Sequence, residues 1–210
     1  MLLDRLTNTI IFLLTLLCFL QCFRRDGEWK LSNGLHSLRY FTILSNLLSA
    51  FAALLVAFSL TEQGFPYGVW LLKYIGTAAV TVTFVTVMLF LGPTQGYKSQ
   101  LEKKNFFFHA AGPLLAVLSF CFLERFYTLS FSLSLVGVLP VILYGLLYAW
   151  KVLLCPEDRR WDDFYGYTRG GHWLLSACAM LLGTILICAL LRFLYCLGFS
   201  AQPISMILEG

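Results

Sequence analysis

An all-α polytopic membrane protein, with six transmembrane helices in one bundle, is the fold class predicted by three observations. Of the 210 residues, 59% are hydrophobic and only 12% charged, about half the charge content of a soluble domain. Mean hydropathy is +0.78. The apolar residues also come in long blocks instead of alternating with polar ones, and six blocks reach the ~20 residues that a bilayer span requires.

Taken in order, the first block is Leu6–Phe23. It has the length of a signal peptide, but it lacks a small-residue cleavage site and runs directly into Arg24 and Arg25, so a retained helix is expected. The others are Tyr40–Leu60, Val69–Leu91, Phe106–Leu123, Leu129–Val152 and Trp173–Leu197. Their connections are short, which predicts a single transmembrane domain over residues 1–210 with a tail at Ser200–Gly210. Seven cysteines, an odd number without a CxxC pair, read as buried small hydrophobes. Cys155 differs in falling in a loop, where a free thiol is expected.

Charge sets the expected orientation. Arg24, Arg25, Lys30 and Arg39 lie between blocks 1 and 2, Lys98, Lys103 and Lys104 between 3 and 4, and Lys151, Arg159, Arg160 and Arg169 near the 5–6 loop. These are 11 of the 15 basic residues. The positive-inside rule places the three loops in the cytoplasm and both termini outside. Lys73 and Arg192, near outer helix ends, are expected to snorkel to the interface. The net charge of +4 comes without a basic patch interleaved with aromatics, so nucleic acid is not an expected partner.

Polar residues inside apolar blocks need a partner or a task. Thr42, Ser45, Asn46 and Ser49 follow i, i+3, i+4, i+7 spacing and share one face of the second helix. Asn105, His109, Gly112 and Pro113 share a face of the fourth, where Pro113 frees the carbonyl of His109. Pro140, Tyr144, Tyr148 and Lys151 form a stripe on the fifth. All three stripes descend to the same predicted cytoplasmic half. The outer half is expected to hold little polar material beyond Thr77, Thr81, Thr83 and Thr86. The loop Glu157–Tyr167 mixes charges and aromatics, as a lid over a site or a solvated interfacial segment would. Each stripe also has a plainer reading, as helix–helix glue or interfacial belt.

Together these groups allow acyl chemistry. A Thr42 hydroxyl, deprotonated by His109, can attack an ester carbonyl. Ser45 or Asn46 is placed to donate to the resulting oxyanion, and Tyr144 and Tyr148 to line the substrate space. No Asp or Glu falls within the predicted spans to orient His109, so a Tyr or a backbone carbonyl must do so. No cofactor or metal is expected, and the sequence signatures of intramembrane proteases are absent. The expected partners are membrane lipids and a lipidic ester substrate.

The run Arg39–Asn46 with its Tyr-Phe-Thr-x-x-Ser-Asn core, the His of Asn-Phe-Phe-Phe-His followed by Pro113, and Tyr144-Gly-Leu-Leu-Tyr148 resemble one family. It is the androgen-induced and androgen-dependent multi-pass membrane proteins and their bacterial six-helix relatives. The resemblance covers nearly the whole chain in helix order and loop lengths, and the Ser45-Asn46 pair is similar to the bacterial branch. It implies hydrolysis of fatty acid esters of hydroxy fatty acids, with an intramembrane threonine and histidine that fall on Thr42 and His109. It also implies residence in a bacterial plasma membrane. Two alternatives stay open: a lipid acyltransferase, and a non-catalytic lipid or small-solute binding or transport protein. Haem ligation by His109 and His172 is a remoter one.

Overall fold

The computed structural model describes residues 1–25 and 27–200; the predicted tail lies outside them beyond Ser200. Six helices long and apolar enough to cross a membrane follow one another: Leu2–Phe23, Phe41–Ser59, Tyr67–Gln95, Lys104–Leu123, Phe131–Leu154 and Trp173–Leu197. They are spans 1 to 6 below. Among the described residues, extended structure is limited to a two-rung hairpin, Arg24 opposite Trp29 and Arg25 opposite Glu28, and one bridge between Thr61 and Gly64. The protein is an all-α polytopic bundle. Large apolar side chains such as Leu17, Phe58, Leu89, Leu143 and Leu186 cover its outside, as lipid contact demands.

Span 3 is the central post. Of its most apolar stretch 61% is buried, against 22% in spans 1, 5 and 6. Small residues make this possible, because without a hydrophobic force between helices in lipid, close backbone approach supplies the packing energy. A Cβ on Gly76 would stand 2.9 Å from the Cα of Ser49 in span 2. One on Gly137 of span 5 would meet Ala78 Cβ and Cys188 Sγ, each at 2.9 Å. Trp70, Tyr74, Phe120 and Tyr195 complete the core as an aromatic cluster joining spans 3, 4 and 6, with Phe120 stacked on Tyr195 at 5.0 Å.

Two spans widen into π-helical turns directly before a Gly-Pro pair: Val87–Leu91 before Gly92-Pro93, and Phe107–Ala111 before Gly112-Pro113. The cause is shared. Proline lacks the amide hydrogen and its ring crowds the carbonyl four residues back, and a widened turn relieves both. His109 sits in the middle of the second such turn.

Several sequence expectations are corrected. Span 1 begins at Leu2, four residues early, and so takes in Asp4. Lys73 does not snorkel: it is fully buried and pairs with Glu124, Nζ to Oε1 3.3 Å. The end of the bundle that carries the amino terminus is therefore not poor in polar groups. It encloses Asp4, Asn8, Lys73, Ser119 and Glu124, all buried. Thr83 belongs to the opposite half, where it meets Ser45. Cys155 has the free thiol expected, in the loop after span 5 but buried, whereas Cys178, expected to be buried, is exposed. Arg192 stays near its helix end, donating from Nε to the carbonyl of Leu129 at 3.1 Å.

Candidate functional site

The second polar region lies at the end that carries the three basic loops. Span 2 enters from Tyr40, whose extended backbone opens the helix. Its first turn has free amide hydrogens because no preceding turn accepts them. Those of Ile43 and Leu44 bond back to the Tyr40 carbonyl, at 3.0 and 3.3 Å. That of Phe41 donates instead to the phenol oxygen of Tyr165, at 3.2 Å. Thr42 follows, half-buried.

Asn46 joins this turn to span 4. Its Nδ2 donates to the Thr42 carbonyl at 2.8 Å and to the Phe108 carbonyl at 3.0 Å. The backbones at Thr42 and beside His109 are thus held by one nitrogen. Gly112 leaves room for it, since a Cβ there would lie 3.3 Å from Asn46 Oδ1. Both amide hydrogens are spent on these carbonyls, so Asn46 is a tether with no donor left over. Ser45 bonds Thr83 Oγ1 at 2.9 Å and the Thr42 carbonyl at 3.1 Å, linking span 2 to span 3. Ser49 packs against Gly76.

His109 is 8% exposed. Its Nδ1 lies 2.6 Å from the carbonyl oxygen of Gln100. A carbonyl only accepts, so Nδ1 carries the hydrogen, and in the neutral imidazole Nε2 keeps the lone pair. The 3–4 connection is bent to deliver this carbonyl: Gly96 has φ 92° and Lys103 has φ 55°. A lysine in that region is strained, and the strain sits three residues from the carbonyl that orients the imidazole. No hydrogen bond joins Thr42 Oγ1 to His109 among the described residues.

The 5–6 loop folds back over this end. Asp163 organises it, accepting from Tyr148 Oη at 2.9 Å, from the amides of Tyr167 and Thr168 at 2.7 Å each, and from Thr168 Oγ1 at 2.7 Å. Partial burial works against the charge of Asp163, yet these donors win and hold its carboxyl below the usual carboxylate range. The loop drives Tyr165 into the bundle, where its hydroxyl reaches the side chains of Thr42 and Tyr144. Burial pushes the Tyr165 phenol up to about 12, so it remains a hydrogen-bond donor at neutral pH. Tyr144 donates to the Arg39 carbonyl at 2.7 Å and stacks on Tyr148 at 5.8 Å. His172, exposed at the start of span 6, takes no part.

Between spans 2 and 5 a groove of about 240 Å³ opens sideways, lined by Phe41, Leu44, Leu48, Pro140, Leu143 and Leu147 with Ser45 and Tyr144 as its polar points. Thus the predicted site residues gather at one end of the bundle, with Tyr148 acting as a post for the loop. Tyr165 and Asp163 were not foreseen, and of the two expected orienters of His109 it is a backbone carbonyl, that of Gln100, that the structure supplies. Tyr165 and Asp163 belong to a loop whose composition suits a lid and a solvated segment equally. Backbone carbonyls leave no trace in residue identity. No protein-family model matches the chain, and neither does any curated protein or solved structure.

Proposed function

We propose that the protein is an intramembrane hydrolase of lipidic carboxylic esters, with Thr42 as nucleophile and His109 as general base. The single observation carrying this reading is the Asn46 bridge, which holds the Thr42 turn beside the His109 turn. In this mechanism Nε2 of His109 removes the Thr42 proton as the hydroxyl oxygen attacks the ester carbonyl carbon. The Gln100 carbonyl keeps the imidazole in the required tautomer, the task a carboxylate performs in other triads. The amides of Phe41 and Thr42, in the first turn of span 2, are the donors for the oxyanion. His109 then protonates the departing alkoxide, and water hydrolyses the acyl-threonine to the free acid. The groove between spans 2 and 5 offers an acyl chain a path from the lipid. The resemblance in sequence motifs points to the same reaction, in a plasma membrane with the basic loops inside.

Catalysis requires Tyr165 to withdraw, because its phenol oxygen takes the Phe41 amide hydrogen at 3.2 Å, one of the two oxyanion donors. That occupancy favours a second reading, in which the same space holds a lipid without breaking it. Fluorophosphonate labelling and turnover of branched fatty acid esters separate the two. The hydrolase reading expects Thr42→Ala to abolish labelling, and His109→Ala to slow turnover about 10²- to 10⁴-fold. Wild-type rates in both variants would end it, while saturable lipid binding without turnover would establish the second reading.

A further inference from the structure

At the amino-terminal end of the bundle, far along the spans from His109, five polar side chains are sealed from solvent. Glu124 Oε1 accepts from Asn8 Nδ2 at 2.9 Å, from the Ser119 hydroxyl, and pairs with Lys73 Nζ at 3.3 Å. Asn8 Nδ2 also donates to Asp4 Oδ1 at 2.8 Å, and Asn8 Oδ1 accepts from Lys73 Nζ at 2.5 Å. Every polar atom on this side of the cluster is thereby satisfied. The other oxygen of each carboxyl is not. Asp4 Oδ2 and Glu124 Oε2 are buried without a donor, on residues that are 3% and 0% exposed. One nitrogen, Asn8 Nδ2, donates to both carboxyls, at 2.8 Å to Asp4 Oδ1 and 2.9 Å to Glu124 Oε1, and so holds them side by side.

The charge count leads to the same place. Lys73 supplies one positive charge, and two ionised carboxylates would leave a net negative charge enclosed in a medium where such a charge is heavily penalised. Two carboxylates bridged by one amide nitrogen add direct repulsion. One proton removes both faults. We propose that Asp4 and Glu124 form a proton-binding site, with one exchangeable proton carried by the pair on an oxygen left without a donor, Asp4 Oδ2 or Glu124 Oε2. The cluster is neutral when the proton is present and singly negative when it leaves to water.

The surrounding charges do not substitute for it. On span 1, Arg5 is exposed and donates to the Leu60 carbonyl at 2.6 Å, and the terminal ammonium acts on Asp4 from the surface. On span 3 Lys73 is bonded into the cluster, and Thr77 one turn on has a buried hydroxyl without a partner. Span 4 presents Ser119 and the neutral Cys121, followed by Arg125, which acts on Cys121 and Tyr195. From span 6 the hydroxyl of Tyr195 is donated to the Tyr127 carbonyl at 2.6 Å. The site thus ties spans 1, 3 and 4 through a single proton, and it is independent of the chemistry proposed at the other end.

Infrared spectroscopy of the purified full-length protein at neutral pH tests this through the carbonyl stretch of a protonated carboxyl. Exposed carboxyls are ionised at that pH, so the band reports the buried pair. Wild type should show the band, shifted in heavy water, and Glu102→Gln in the exposed 3–4 loop should keep it. Asp4→Asn and Glu124→Gln should each abolish it, since an amide hydrogen takes the place of the pair's proton and the remaining carboxylate pairs with Lys73. Lys73→Met removes the cation that pairs with Glu124, and the band should grow about twofold as both carboxyls take protons. A wild type without the band overturns the proposal and requires no variant to fold. So does a band that survives in either amide variant.

Discussion

The two ends of this bundle bury polar groups in opposite ways. At the basic-loop end the groups are neutral: hydroxyls, an amide, an imidazole and phenols, bonded largely to backbone carbonyls and open to the side through a groove. At the amino-terminal end they are charged, bonded to one another and shut off from solvent. Neutral groups satisfied by backbone can lose a partner and turn to a substrate at modest cost. An enclosed ion cluster cannot, because each member's desolvation is offset only by the others. The first arrangement suits chemistry on a visiting molecule, and the second suits holding three helices together.

The strongest challenge to that contrast is Glu124→Ala. It strips Lys73, Asn8 and Ser119 of their common acceptor and leaves Asp4 alone to offset the enclosed cation, which should cost about 3–5 kcal/mol. Denaturant unfolding in detergent reads this directly. Thr42→Ala, truncating a half-buried hydroxyl, should change stability by far less in the same assay. Equal losses from the two variants would erase the distinction.

The loop over the neutral end is the next point of attack. Asp163→Ala removes acceptors for two amides and two hydroxyls. Hydrogen bonds to a charged group contribute about 1.5–3 kcal/mol, so trypsin cleavage after Arg159 and Arg160 should quicken at least about tenfold. The pH dependence follows from the direction of the shift. Because the folded carboxyl titrates below its unfolded value, its stabilisation is present above the ordinary carboxylate range of about 3.9. It disappears only as pH falls through the lower folded value. Cleavage by an acid-tolerant protease should stay slow down to the ordinary range and accelerate beneath it in wild type, and show no such step in the variant. The smallest effect is expected for Tyr144→Phe, which gives up one hydrogen bond to the Arg39 carbonyl. A stability loss of about 0.5–1.5 kcal/mol is expected by thermal unfolding, with Tyr165 still in place.

The same contrast explains what was readable beforehand. Thr42, Ser45, Asn46 and Ser49 stood out because polar residues at helical spacing interrupt an otherwise apolar block. Lys73 and Glu124 did not stand out, because charges near helix ends are what any membrane protein shows at its interfaces. Asp4 was missed for a related reason, lying just outside the first apolar run. Nothing local distinguishes a lysine that snorkels from one that another helix encloses.

From residue order alone came the six spans, since length and apolarity are properties of each segment by itself and the bilayer fixes how much of both is needed. The gathering of Thr42, His109 and the tyrosines toward one end followed as well, because alternating spans and helical period place residues by depth. Which oxygen takes which hydrogen was decided by tertiary structure. The Gln100 carbonyl on His109, the Tyr165 phenol at Thr42 and the carboxyl pair at Asp4 and Glu124 join groups from separate segments. Their partnership depends on helix rotation and loop path, quantities set by packing across the whole bundle.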